Sequence, residues 1–109
     1  MTKKLPKTIN VGPFKIEIQI LPSAIAYEGN EEGSFQSRQR IIYIAEDIVE
    51  RGGEDLINVL IHELLHVIYY QYNLSNSSSE EDVVNSMANG LTELLTRTAL
   101  LETIKKLKR

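Results

Sequence analysis

The stretch from residue 55 to residue 72, DLINVLIHELLHVIYYQY, constrains the fold more than any other part of the chain. Gly52 and Gly53 precede it, and the acidic Glu54 and Asp55 suit the positive N-terminal end of a helix dipole. Apolar side chains then surround almost the whole circumference of a helix at Leu56, Ile57, Val59, Leu60, Ile61, Leu64, Leu65, Val67 and Ile68. Such a helix must be covered on several sides. We therefore predict a central helix from about Glu54 to Tyr72, packed between a sheet and a further helix.

Short segments before this helix have the character of β-strands. Residues 14–21 alternate apolar and polar side chains, which predicts a half-buried strand, and Gly12-Pro13 predicts a bend between it and residues 9–11. Residues 34–38 and 40–45 predict two more strands, separated from the first by an exposed loop that begins at Ser23. We expect a small, mainly antiparallel sheet of three or four strands.

The last third of the chain predicts one long helix at residues 81–106, joined to the central helix by a polar connection at residues 72–79. Gly90 lies inside this helix, where it predicts close packing of another helix. The residues expected to face the core are Val84, Met87, Ala88, Leu91, Leu94, Leu95 and Leu101. Residues 1–109 are thus predicted to form a single α+β domain.

Composition excludes several functional classes. The net charge of −3 and the pI near 5.4 do not indicate a nucleic-acid-binding protein, and the basic end, KKLKR, is typical of a helix C-terminus. The chain has no cysteine, so neither disulfides nor thiolate ligands are available and the cytoplasm is the expected location. No continuous apolar run predicts a signal peptide or a membrane span.

The central stretch contains both histidines of the chain, in the pattern His-Glu-x-x-His at His62, Glu63 and His66. Residues four apart lie on the same face of a helix, so the two imidazoles can bind one metal ion. The carboxylate of Glu63 lies beside the same position and suits a general base. The alternative is a pair of histidines that packs or hydrogen-bonds without metal. The pattern favours a zinc site, with His62 and His66 as ligands.

A catalytic zinc ion usually has three protein ligands. The metzincin pattern would need a glycine and a third histidine where this chain has Tyr69 and Tyr72, so that class is excluded. A carboxylate near the start of the last helix is expected in place of the third histidine. Residues further along that helix, such as Glu93, would lie beyond the metal site. The candidates are Glu80, Glu81 and Asp82.

The helical phase favours Glu81 among these three. Glu81 lies three residues before Val84 and seven before Ala88, so it shares the stripe expected to face inward. Glu80 stays open as an alternative because its phase is close. Glu81 has a second possible role, the completion of a capping box with Ser78.

The motif HELLH at residues 62–66, followed by EDVVNSMANGL at residues 81–91, resembles the gluzincin-type zinc peptidases, especially the small metallopeptidase-like proteins of phages and bacteria near the ImmA/IrrE group. The resemblance implies a minimal zincin fold with His62, His66 and Glu81 as zinc ligands and Glu63 as general base. It also implies that an edge strand, here residues 33–38 from Gly33 to Arg38, holds an extended peptide.

We therefore expect zinc-dependent peptide-bond hydrolysis. The alternative is a catalytically weak or inactive zinc-binding regulatory or interaction module, and a third possibility is cleavage of itself or of one specific partner. No histidine is left to stabilise an oxyanion. A tyrosine can take that role, and the sequence leaves four candidates open: Tyr43, Tyr69, Tyr70 and Tyr72.

Overall fold

A four-stranded sheet forms one layer of the protein. The computed structural model describes residues 5–25, 32–74 and 79–107. The strands are β1 (Thr8–Val11), β2 (Phe14–Leu21), β3 (Gly33–Gln36) and β4 (Ile41–Ala45), in the spatial order β1-β2-β4-β3. The pairs β1–β2 and β3–β4 are antiparallel, and β2–β4 is parallel. The expected mainly antiparallel sheet is confirmed.

One face of the sheet is apolar because the side chains alternate along each strand. Ile16 and Ile18 of β2 are buried, as are Ile42 and Ile44 of β4, whereas Lys15 and Glu17 of β2 point to solvent. Gly12 turns the chain between β1 and β2 with a φ of +61°, which glycine adopts without strain.

Among the described residues, four helices follow the sheet: α1 (Glu46–Arg51), α2 (Gly53–Gln71), α3 (Glu80–Arg97) and α4 (Leu100–Leu107). The predicted central helix is confirmed as α2, which contacts β3 and β4 on one side and α1, α3 and α4 on others. The glycine pair before it has φ values of +65° at Gly52 and +58° at Gly53, so the chain turns sharply between α1 and α2. These contacts provide the cover that the apolar circumference of α2 requires.

The predicted single C-terminal helix is wrong in one respect, because it is divided at Thr98. This residue has an extended conformation, with a φ of −128° and a ψ of 174°. Its hydroxyl donates to the carbonyl of Leu94 and accepts from the backbone N–H of Leu100, so one side chain closes α3 and starts α4. The break lets Leu100 and Leu107 return to the core, where both are buried. A continuous helix would have carried them away from it.

The predicted inward face of the last helix is also partly wrong. Leu94 and Gly90 are buried, and Met87 and Leu91 pack against the core. The remaining predicted core residues, Val84, Ala88, Leu95 and Leu101, are exposed. The reason is the close packing predicted for Gly90: a β-carbon there would lie 2.7 Å from Cδ1 of Ile68 in α2. This contact turns α3 about its axis relative to the expected orientation.

The connections differ in part from the predictions. Ser23 to Ile25, expected in an exposed loop, are helical, and the rest of that loop up to residue 31 lies outside the described residues. Ser78, the predicted capping-box partner of Glu81, also lies outside them. The observed N-cap of α3 is Ser79, whose hydroxyl accepts from the N–H of Asp82 at 3.1 Å. No helix within the described ranges is long and apolar enough to cross a membrane.

Candidate metal centre

The two histidines of α2 point their imidazoles at each other on the exposed side of the helix. His62 and His66 are four residues apart, and their Nε2 atoms lie 3.3 Å from each other. The ring centroids are 4.9 Å apart and the ring planes meet at 75°. The helix backbone therefore places the two Nε2 atoms beside each other, as the i, i+4 spacing predicts.

This separation fits two ligands of one zinc ion. Nitrogen ligands lie about 2.0–2.1 Å from a tetrahedral zinc, so two of them are about 3.3–3.4 Å from each other. The observed Nε2–Nε2 distance of 3.3 Å agrees with that value. The same distance also suits a hydrogen bond between the two rings in the metal-free protein. The histidine pair thus fits zinc but does not require it.

Glu63 lies between α2 and the sheet and is only 5% exposed. A β-carbon on Gly33 would come 3.2 Å from Oε2 of Glu63, so the carboxylate lies directly against the start of β3. Glu63 also lines the same open cavity of about 460 Å³ as His62 and His66. The structure therefore brings together three of the four residues predicted for the site.

The edge strand β3 forms the wall of this cavity opposite α2. Its lining residues are Gly33, Ser34 and Phe35. The N–H of Ala45 donates to the carbonyl of Glu32 at 2.9 Å, so these two residues form a hydrogen-bonded pair of the β3–β4 ladder. Such pairs alternate along an antiparallel ladder. The backbone N–H and C=O groups of Gly33 and Phe35 consequently point away from β4, toward the open edge of the sheet.

The structure separates the four candidate tyrosines. Tyr69 and Tyr70 line the cavity, and the ring of Tyr70 makes an edge contact with Phe35 at 6.0 Å between centroids. Tyr43 lies on β4 between two buried isoleucines that face α2, so its side chain points to the other face of the sheet. Tyr72 follows the end of α2 and does not line the cavity.

Glu81 lies apart from the histidine pair. It is exposed in the first turn of α3, nine residues, or about 13.5 Å of helix, before Gly90. Gly90 packs on Ile68, which follows His66 by two residues and thus lies about 200° around α2 from it. The helix α3 therefore packs on nearly the opposite face of α2. Ligation by Glu81 stays a prediction.

The observed orientation of α3 also removes the helical-phase argument that favoured Glu81 as a ligand. It depended on Val84 and Ala88 facing inward, and both are exposed, as are the other candidates, Glu80 and Asp82. Within residues 5–25, 32–74 and 79–107, the structure gathers no group of three His, Cys, Asp or Glu side chains that can hold a metal ion. Glu93, expected to lie past the site, accepts a hydrogen bond from the N–H of Gly12 in the β1–β2 turn.

Sequence reasoning missed the contact between Gly33 and Glu63. The only signal was a glycine at the start of a strand, where a missing side chain often marks a close approach of another group. Comparisons with protein-family models, with curated proteins and with solved structures found no significant match. The functional argument therefore depends on the residues of this cavity and on the motif that His62, Glu63 and His66 form.

Proposed function

We propose that the protein is a zinc-dependent peptidase with a minimal zincin-like fold. The observation that carries this proposal is the convergence of the His62 and His66 Nε2 atoms at 3.3 Å, in the same cavity as a buried glutamate and an edge strand. Each part has a separate role in peptide hydrolysis. The two histidines would hold the metal, and Glu81 is the predicted third ligand.

The edge strand β3 favours a peptide substrate in an extended conformation. The outward N–H and C=O groups of Gly33 and Phe35 can pair with the backbone of an added strand. Such a strand would run along the cavity wall and bring one of its carbonyl groups toward the histidine pair. Backbone pairing carries no side-chain selectivity by itself, so the neighbouring Tyr69 and Tyr70 would contribute to the choice of substrate.

Glu63 would carry the proton transfers. When bound, zinc acts as a Lewis acid toward a carbonyl group and lowers the pKa of a bound water. The Glu63 carboxylate would accept a proton as water attacks the peptide carbon, and would then donate it to the nitrogen of the leaving amine. Burial between α2 and β3 limits the movement of this carboxylate, which favours proton transfer.

The substitution Glu63→Gln tests the mechanism, because glutamine keeps the shape but cannot accept the proton. We expect hydrolysis of an unstructured peptide library by the zinc-loaded protein, followed by mass spectrometry, to fall by about 10²- to 10⁴-fold. Zinc affinity should change little. Glu54→Gln, at an exposed position on the same helix, is the matched control. Unchanged hydrolysis by the Glu63→Gln protein would contradict the mechanism.

A second candidate is a zinc-binding regulatory or interaction module that cleaves nothing. The position of Glu81 favours it, because the described residues bring only two metal ligands together. Tight zinc binding without hydrolysis of any peptide would support this alternative, and the edge strand would then bind a partner segment without cleaving it. We place either function in the cytoplasm, since a chain of 109 residues without cysteine suits a reducing compartment.

A further inference from the structure

Two successive contacts join the edge strand β3 to α2. At the first, Gly33 lies against the carboxylate of Glu63. At the second, the rings of Phe35 and Tyr70 meet with their centroids 6.0 Å apart and their planes at 72°. Tyr70 follows Glu63 by seven residues, so it lies on nearly the same side of α2, about 10.5 Å further along the helix axis. Both contacts therefore line one cavity, with His66 between them along the helix.

Phe35 and Tyr70, the aromatic pair, give one end of this cavity an apolar character. Phe35 packs against the core, whereas Tyr70 is 54% exposed although its ring contacts Phe35. Tyrosine combines a large apolar ring with a polar hydroxyl, and it is enriched at binding surfaces for that reason. The described residues that line the cavity include no lysine, arginine or aspartate. The aromatic pair can thus contact an apolar group, but its surroundings offer no cation to a carboxylate.

The backbone of Phe35 determines which part of a bound peptide would reach the aromatic pair. Its N–H and C=O groups point toward the open edge, so one residue of an added strand would pair directly with it. Residues that pair across neighbouring strands point their side chains to the same face of the sheet, with β-carbons about 4.5–5.5 Å apart. On its other side Phe35 pairs with Ile42, which is buried on the face toward α2. The peptide residue opposite Phe35 would therefore point its side chain toward α2, on the side where Tyr70 lies.

We propose that the aromatic pair is a specificity subsite, which selects an aromatic or large aliphatic side chain at the peptide residue that pairs with Phe35. This inference rests on the proposed function, because it requires an extended peptide on β3. A large apolar side chain would cover the exposed ring of Tyr70 and remove apolar surface from water. A carboxylate in the same place would lose water without gaining a cation. The substrate class is thus an extended peptide with a large apolar residue two positions from the residue that faces Gly33 and Glu63.

Peptide binding to the metal-free protein tests the subsite without requiring hydrolysis. The probes are fluorescein-labelled peptides of serine and threonine with one central phenylalanine, leucine or glutamate, and fluorescence anisotropy gives their dissociation constants. We expect the phenylalanine and leucine peptides to bind about 10-fold more tightly than the glutamate peptide. Tyr70→Ala should abolish this difference, and Tyr70→Phe should keep it because the ring remains. Tyr72→Ala is the matched control, since Tyr72 is 37% exposed and does not line the cavity.

Equal affinities for the three peptides, a preference that survives Tyr70→Ala, or no binding of any probe at about 1 mM would overturn the proposal. Assays of the same peptides with the zinc-loaded protein separate this inference from the proposed function. Selective binding that depends on Tyr70, without hydrolysis of any probe, would support the subsite and contradict the peptidase. Hydrolysis with equal kcat/KM for the phenylalanine and glutamate peptides would support the peptidase and overturn the subsite.

Discussion

Gly33 and Glu63 are in direct contact, and this contact joins the edge strand to the predicted general base. A β-carbon at Gly33 would lie 3.2 Å from Oε2 of Glu63 and 2.8 Å from Cγ1 of Val59. Gly33 does not have a positive φ, so the need for glycine is steric. The wall that would hold a substrate backbone therefore also sets the position of the carboxylate.

We expect Gly33→Ala to reduce peptide hydrolysis about 10-fold, because a shift of a few tenths of an ångström in Glu63 misaligns the proton transfer. Zinc affinity should stay the same, since the atoms nearest to a β-carbon at Gly33 belong to Val59, Glu63 and Tyr43 and not to either histidine. Steady-state kinetics together with zinc titration separates the two effects. Gln36→Ala, at an exposed position of the same strand, should change neither quantity. A parallel loss of zinc affinity would mean that the strand supports the histidines instead.

Replacement of either histidine should weaken zinc binding. We expect His62→Ala and His66→Ala each to raise the zinc dissociation constant by more than about 100-fold, since residues that only support a ligand already contribute about 10- to 100-fold. Competition with a chromophoric chelator measures this constant. Asn58→Ala, one turn before His62 and exposed, is the matched control. Affinities that do not differ from those of the control would leave the histidine pair as a hydrogen-bonded pair.

The third ligand can be assigned with one pair of variants. If Glu81 ligates zinc, Glu81→Gln should raise the dissociation constant at least about 10-fold, because zinc would lose a charged ligand. Glu80→Gln, the adjacent exposed carboxylate, should leave it unchanged. The structure adds a condition: the first turn of α3 must move toward the His66 face of α2, which amide exchange with and without zinc would detect. Equal constants for both variants would exclude Glu81.

The contact of Gly90 with Ile68 should be important for stability. Alanine at position 90 would place its β-carbon 2.7 to 2.8 Å from three atoms of the buried Ile68 side chain. Overpacking costs about 1–3 kcal/mol, and the better helix propensity of alanine recovers up to about 1 kcal/mol. We therefore expect Gly90→Ala to lower the free energy of unfolding in urea by up to about 2 kcal/mol. The loss should disappear in an Ile68→Ala background, and additive losses would contradict the contact.

The division between α3 and α4 should depend on the hydroxyl of Thr98. We expect Thr98→Ala to lower the free energy of unfolding by about 1 kcal/mol, the usual contribution of a capping side chain, and Thr98→Ser to retain it. Thr96→Ala is the control, because that hydroxyl is exposed and bonds only within α3. If Thr98→Ala and Thr96→Ala unfold at the same urea concentration, packing of Leu100 alone maintains the break.

Features that depend on neighbours in sequence were predicted well. The strands and α2 follow from periodicity, because the side-chain direction repeats every 2 residues in a strand and every 3.6 in a helix. The convergence of His62 and His66 is of the same kind, since the i, i+4 spacing within one helix sets it. The predicted packing glycine at position 90 was also correct, because glycine weakens a helix interior unless its missing side chain makes room for a neighbour.

The sequence by itself therefore determined α2, its histidine pair and the class of sheet that covers it. Only the tertiary structure decided which face of α3 is buried, where Glu81 lies, and that Gly33 meets Glu63. These three depend on contacts between residues far apart in sequence, above all Gly90 with Ile68. A helical pattern with apolar residues on two adjacent faces is compatible with more than one orientation about its axis. The close approach at Gly90 selects one of them and leaves Val84 and Leu95 on the surface.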